Sequence, residues 1–114
     1  DKTGDAPLSE RANDMMNAKA FIGIGSGLSW LAWGLGTPVT MISGFSEPYS
    51  EFKDCKRIFT PKGKCSGCFN KVRLNAGDWE WCPEHKDTDR HYECTKSIPP
   101  STVIDAVNKQ LGIL

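Results

Sequence analysis

Apolar residues first recur at helical spacing in "PLSERANDMMNAKA", through Leu8, Ala12, Met15 and Met16, with Ser9 the expected N-cap. The pattern then tightens. "AFIGI" reads as a short buried strand and "GSG" as a turn, and "LSWLAWGLG" returns to a helical period through Leu28, Leu31, Ala32 and Leu35. Gly36 stands where a helix C-terminal cap is expected, Thr37-Pro38 restarts the chain, and "VTMI" is the next strand. From Ser43 the texture becomes turn-rich, with room for one short strand around residues 57–60. "IPPSTVIDAVNKQLG" ends the pattern as an amphipathic helix, with Pro100 in its first turn, Gly112 at its end, and Ile104, Val107 and Leu111 as the expected apolar stripe.

A helix, a strand, a helix and a strand within so few residues imply a βαβ crossover and a parallel sheet, hence an α/β fold. The longest apolar stretch, residues 20–42, is interrupted by glycines and a proline and predicts no membrane-spanning helix. At 114 residues the chain is one domain or a piece of one. It begins at Asp1 without a methionine, which suggests a piece of something longer, and no signal peptide is legible. Lys and Arg (14) balance Asp and Glu (14), so charge argues against a polyanionic partner or an electrostatic membrane anchor.

A strand ending in Gly25-Ser26-Gly27 and opening directly into a helix puts free backbone N–H groups at the positive end of that helix. With the Ser26 and Ser29 hydroxyls, these groups suit a pyrophosphate at the carboxyl edge of the sheet. The same glycines also suit a tight βα turn that needs them only for its backbone angles.

Five cysteines follow: Cys55, Cys65, Cys68, Cys82 and Cys94. Their odd number beside a Rossmann-like stretch points to a reducing compartment and metal ligation in preference to a disulfide scaffold. Cys65-Ser66-Gly67-Cys68 is a Cys-x-x-Cys turn, with Cys82 and Cys94 near enough in sequence to return to the same point. Four thiolates would close a tetrahedral ion, making the site structural, and would supply much of the folding energy of a stretch poor in apolar residues. Spacing leaves His85 and His91 as replacement ligands. Lys62, Lys64, Lys71 and Arg73 are expected to offset the charge of the site. Cys55 reads as a free thiol. A redox role for Cys65 and Cys68 is the lesser alternative, because no helix begins after them to lower a thiol pKa.

Taken whole, "FIGIGSGLSWLAWGLGTPVTMISGFSEP" resembles the donor-binding segment of heptosyltransferase-like glycosyltransferases of the two-domain GT-B type. Lipopolysaccharide heptosyltransferases commonly have an aspartate where this chain has Gly25 and a histidine where it has Trp30. The Ser-Gly-Leu-Ser-Trp-Leu-Ala-Trp version, followed by the tail "DWEWCPEHKDTDRHYEC", is similar instead to the bacterial autotransporter heptosyltransferases. That resemblance implies the C-terminal, donor-binding half of a GT-B enzyme, truncated, with an inserted four-cysteine metal finger. It implies a cytoplasmic enzyme that moves heptose from ADP-heptose to serines of autotransporter adhesins before their export.

By position, Gly25, Ser26, Gly27, Leu28 and Ser29 would meet the diphosphate, and Trp30 would lie near the donor. Trp30 also suits packing against the sheet, the favoured reading for Trp33. Glu47 is placed to reach ribose or sugar hydroxyls, or to be a solvated loop acid. The resemblance further implies an iron finger held by Cys65, Cys68, Cys82 and Cys94, with zinc suited to the same ligands, and a ring-shaped homo-oligomer in which the finger takes part. The expected layout is a partial Rossmann-like donor lobe over 1–60, the finger over 61–96, and a helix over 97–114 packing back on the lobe. No catalytic residue is expected within the chain, so alone it should be inactive. Two other functions compete: a structural oligomerisation lobe, and a zinc-ribbon-like interaction module. Nucleic-acid binding by such a module is not expected, since Glu80, Glu84, Asp87 and Asp89 dilute the basic residues.

Overall fold

The computed structural model describes residues 1–69 and 71–113; Asn70 and Leu114 lie outside the described residues. Three strands, β1 (Phe21–Ile24), β2 (Val39–Ser43) and β3 (Lys56–Phe59), lie side by side in that order and run parallel. Phe21 pairs with Val39, and Thr40 with Lys56, so all three strands finish near one edge. The central strand is covered on both faces, as its unbroken run of small and apolar residues requires.

Alternation along β2 sends Val39 and Met41 to one face and Thr40 and Ile42 to the other. The first pair packs with Met15 of α1 (Leu8–Met16), Ala32 of α2 (Gly27–Gly34) and Phe52. Full burial of Val39 and Met41 contributes on the order of 1.5–3 kcal/mol each. On the other face Ile42 meets Ile58, Ile98, and Val103 and Ala106 of α4 (Pro100–Gln110). Thr40 Oγ1 donates to Gln110 Oε1 at 2.7 Å, and Gln110 Nε2 donates to the Val39 carbonyl at 3.1 Å. A layer of helix, sheet and helix results.

Helix α2 ends as its sequence dictates. Gly36 takes φ +79°, its N–H reaches the Trp33 carbonyl, and the Thr37 N–H reaches that of Ala32, both at 3.0 Å. This pair of bonds turns the chain straight into β2. Thr37 Oγ1 then donates to the Met15 carbonyl at 2.7 Å and ties α1 to the same corner.

Two expectations about helices are corrected. Ser9 lies inside α1; the N-cap is Pro7, whose carbonyl accepts the Glu10 and Arg11 N–H groups at 3.0 and 3.3 Å. In α4 the inward stripe is Val103, Ala106 and Gln110, while Ile104 is 58 % exposed and Val107 and Leu111 are half-buried. Small Ala106 admits close approach to Ile58, and Gln110 then bonds β2, which fixes the rotation of the helix.

Candidate functional site

At the carboxyl edge of the sheet, β1 runs through Gly25 and Ser26 into α2. Ser26 is the N-cap in extended conformation; its carbonyl accepts the Trp30 N–H at 3.2 Å, and its hydroxyl caps nothing within the helix. Gly25, Ser26, Gly27 and Leu28 are exposed at this turn, and the first helical N–H groups have no intrahelical partner by geometry. The turn can therefore receive an anion.

Three of the expected ligand contacts lie elsewhere. Ser29 is fully buried and its hydroxyl donates to the Ile24 carbonyl, so it holds the helix to the end of β1 and is not open to a ligand. Trp30 turns to the α1–α2 side, edge-on to Phe52 at 5.1 Å and to Trp33 at 5.7 Å, while Trp33 stacks on Phe52 at 5.2 Å. That is packing, with both indoles about two-fifths exposed. Glu47 pairs with Lys71 Nζ at 3.0 Å and so engages the cysteine segment, not the glycine turn.

Beside the turn lies an apolar cavity of about 510 Å³. Ile24, Gly25, Ile42, Phe45 and Ser46 line it from the sheet; Leu74, Trp79, Trp81, Tyr92 and three cysteines (Cys68, Cys82 and Cys94) line it from the cysteine segment. It opens where α/β sheets bind ligands, at the strand carboxyl ends.

Behind this cavity is a polar group that the sequence does not single out. Glu51, 8 % exposed, receives Arg57 Nη1 and Ser46 Oγ at 2.6 Å each, and Ser43 Oγ at 3.3 Å, all on Oε1. Its Oε2 is buried, has no hydrogen-bond partner among the described residues, and faces Gly25. A Cβ at position 25 would collide with it. The sequence signal was faint: a second acid four residues after Glu47, and an arginine in a strand at a position that would otherwise be apolar.

The cysteine segment is built from turns and bound to the sheet edge. Gly67 N–H reaches the Gly44 carbonyl at 3.0 Å, Phe69 N–H that of Phe45 at 3.2 Å, and Thr60 Oγ1 donates to the Cys94 carbonyl at 2.7 Å. Phe45 packs on Phe69 and, edge-on, on Trp81, with centroids 5.3 and 5.6 Å apart. Cys65 N–H donates to Glu93 Oε2 at 2.8 Å, beside Cys94 on the short helix α3 (Glu93–Lys96). The segment is thus a wall of the cavity.

All five cysteines are unpaired and half-buried. Cys55 stands apart against the α1–α2 core, with burial raising its thiol pKa. Burial also raises the Cys65 and Cys68 thiols, and for both the next cause is neighbouring Cys94, with Cys82 contributing as well. Cys68, Cys82 and Cys94 line the one cavity, and such soft donors suit an iron or zinc ion. They are not drawn to ligand distance. Among the described residues the trio whose ligand atoms lie within 4.8 Å of one another is Glu80, Asp87 and His91. Thiolates repel one another until an ion offsets their charge, and an ion bound by Cys65, Cys68, Cys82 and Cys94 would brace the wall without chemistry of its own.

Both ring nitrogens of His91 are engaged by backbone: its Nδ1 accepts the Asp87 N–H at 3.3 Å and its Nε2 meets the Glu80 carbonyl at 2.9 Å. Of the basic residues expected to offset the site, Lys71 is paired with Glu47, and the charged neighbours raising the Cys65 thiol are Glu84 and Glu93. No helix in the described residues is long and apolar enough to cross a membrane.

No family model matches the chain. Over 111 residues, 96 % of its length, it is 49 % identical to the autotransporter heptosyltransferase BAHTCr of Citrobacter rodentium and 50 % identical to TibC of Escherichia coli O78:H11. It spans about 27 % of the length of either. At 36 % identity it also matches BimC of Burkholderia thailandensis, described as an inactive autotransporter heptosyltransferase. The crystal structure of dodecameric, iron-containing TibC in complex with ADP-D-β-D-heptose superposes with a TM-score of 0.87 at 47 % identity, covering 96 % of this chain and 29 % of that one. The chain is thus related, along nearly its whole length, to one segment of the autotransporter heptosyltransferases.

Proposed function

We propose that this chain is the donor-binding segment of a cytoplasmic protein O-heptosyltransferase, which moves heptose from ADP-heptose to serines of autotransporter adhesins. One observation carries the reading: an exposed glycine turn at a helix N-terminus opens beside an apolar, aromatic-lined cavity, in a chain half identical to TibC, which was solved with ADP-D-β-D-heptose. The diphosphate would lie against the N–H groups of residues 25–28, and the less charged parts of the donor in the cavity. Cys65, Cys68, Cys82 and Cys94 would hold one iron ion as a structural brace; the likeness to iron-containing TibC favours iron over zinc. The acceptor site and general base would come from the rest of the enzyme, and the whole protein would assemble into a ring of identical copies.

Titration of the chain with ADP-heptose, followed by backbone amide shifts, tests this. The amides of residues 25–28 should move most, and no turnover should occur. Shifts confined to residues far from the turn would reject the assignment. A second reading, a metal-stabilised interaction module without catalysis, draws on Trp79, which is 94 % exposed in the cysteine segment, and on the match to inactive BimC. It predicts metal-dependent self-association with no response to ADP-heptose.

A further inference from the structure

The loop after β2 places one polar side chain in the sheet-side wall of the cavity, that of Ser46. A hydroxyl has a single proton and two lone pairs. Ser46 Oγ lies 2.6 Å from Glu51 Oε1, an oxygen that also receives Arg57 Nη1 at 2.6 Å. A carboxylate held by a guanidinium only accepts, so the Ser46 proton points to Glu51. What Ser46 then offers the cavity is its lone pairs. It can accept a hydrogen bond there and cannot donate one.

The framework behind it is stiff. Glu51 and Arg57 have side chains only 3 % and 12 % exposed, and Arg57 Nη2 is tied to the Phe52 carbonyl at 2.9 Å. Ser43 Oγ adds a further bond to Glu51, so rotation of the carboxylate would break three contacts at once. The same carboxylate touches both parts of the site: Oε1 holds Ser46, and Oε2 packs beneath Gly25. The acceptor therefore stands beside the anion-binding turn, with opposite chemistry. The turn donates N–H groups and suits phosphate oxygens; Ser46 rejects phosphate oxygens and suits a hydroxyl.

We propose that Ser46 is a specificity-determining residue that accepts a hydrogen bond from a ligand hydroxyl close to the diphosphate, with Glu51 and Arg57 as positioning residues. The proposal rests on the nucleotide-sugar reading of the site. A nucleoside diphosphate sugar carries hydroxyls on both sides of its phosphates, on the ribose and on the transferred sugar, and Ser46 suits either.

The test is calorimetric titration of the chain with ADP, 2′,3′-dideoxy-ADP and ADP-heptose, in wild type, Ser46→Ala, Ser46→Thr and Glu51→Gln. Ser46→Ala should weaken ADP-heptose about tenfold, or ~1.4 kcal/mol. Ser46→Thr, which keeps the hydroxyl, should restore most of that. If the ribose is the donor, the loss appears equally with ADP and vanishes with the dideoxy compound; if the sugar is the donor, it appears with ADP-heptose alone. Glu51→Gln removes the charge and weakens the hold on the hydroxyl, and should reproduce part of the loss. An unchanged thermal midpoint in Ser46→Ala separates the effect from unfolding. Wild-type binding of ADP-heptose with equal affinity in Ser46→Ala overturns the role of Ser46 alone. Absence of any wild-type binding overturns the nucleotide site, and this inference with it.

Discussion

The Glu51 carboxylate lies against Gly25 and fills the volume that any side chain at position 25 would take. Glycine is required there by a neighbour twenty-six positions later, a constraint separate from its own backbone angles. In Gly25→Ala the new Cβ would meet Oε2 and come 3.1 Å from Cδ of a side chain held by Arg57, Ser43 and Ser46. We expect a loss of about 1–3 kcal/mol. Urea denaturation of Gly25→Ala, Glu51→Ala and the double variant checks it: the double variant should lose clearly less than the sum, and strict additivity would show that the two do not touch.

The Arg57–Glu51 pair, at 2.6 Å and nearly out of solvent, should respond asymmetrically. Arg57→Met strands a carboxylate and should cost about 3–5 kcal/mol. Arg57→Met with Glu51→Leu removes both charges and should recover much of it. Thermal or urea unfolding of both variants decides; a double variant as unstable as the single one contradicts the pairing.

Ser29 separates stability from binding. Ser29→Ala removes the donor to the Ile24 carbonyl in a fully buried place and should cost about 1–3 kcal/mol. Affinity for ADP-heptose at saturating fold should stay within a factor of two (roughly 0.4 kcal/mol). A large affinity loss in a stably folded Ser29→Ala protein would return this hydroxyl to the ligand.

Gly44 joins the cysteine segment to the sheet. A Cβ there would run into the Cys94 carbonyl, with its carbon only 2.7 Å away, and backbone cannot rotate aside as a side-chain tip can. Gly44→Ala should push Cys94 from its fellow cysteines and lower iron content per chain, measured by elemental analysis of protein purified beside wild type. Full metal loading in that variant would place the bound ion elsewhere. Chelation of wild type should loosen residues 61–94, seen as faster amide exchange, while the β2 amides stay protected.

Glu93 sets a pH response. Its hydrogen bonds from Arg90 and from the Cys65 N–H hold its carboxyl at about 2, below the usual 4.5. A depressed folded pKa gives stability that is present above about 4.5 and lost as pH falls toward 2. The Cys65 amide resonance should therefore hold its position down through pH 4.5 and shift with a midpoint near 2. Glu93→Gln should abolish that transition; a wild-type midpoint at 4.5 would mean the carboxyl is unattached.

How much was legible beforehand varies by residue. Gly36 was readable because one left-handed residue suffices to end a helix, a local matter. The parallel pairing of β1 with β2 was readable because the short helical connection between them admits a parallel crossover and little else. Ser9 and Ser29 were misplaced because a backbone carbonyl close by in the chain decides the matter, that of Pro7 by capping α1 and that of Ile24 by accepting the Ser29 hydroxyl, and Ile104 because Ala106 packs against the remote Ile58. Glu47 and Glu51 look alike in "SEPYSE", yet one meets Lys71 and the other Arg57.

Periodicity and glycine placement by themselves determined the parallel pairing of β1 with β2 and the glycine turn that opens into α2, since each follows from side-chain alternation and turn geometry within one short stretch of chain. Tertiary structure alone decided that the cysteine segment walls the cavity at the strand ends and that Glu51 underlies the turn. Those facts arise where segments remote in sequence meet at the strand ends, and charge, burial and direction there depend on which partner arrives.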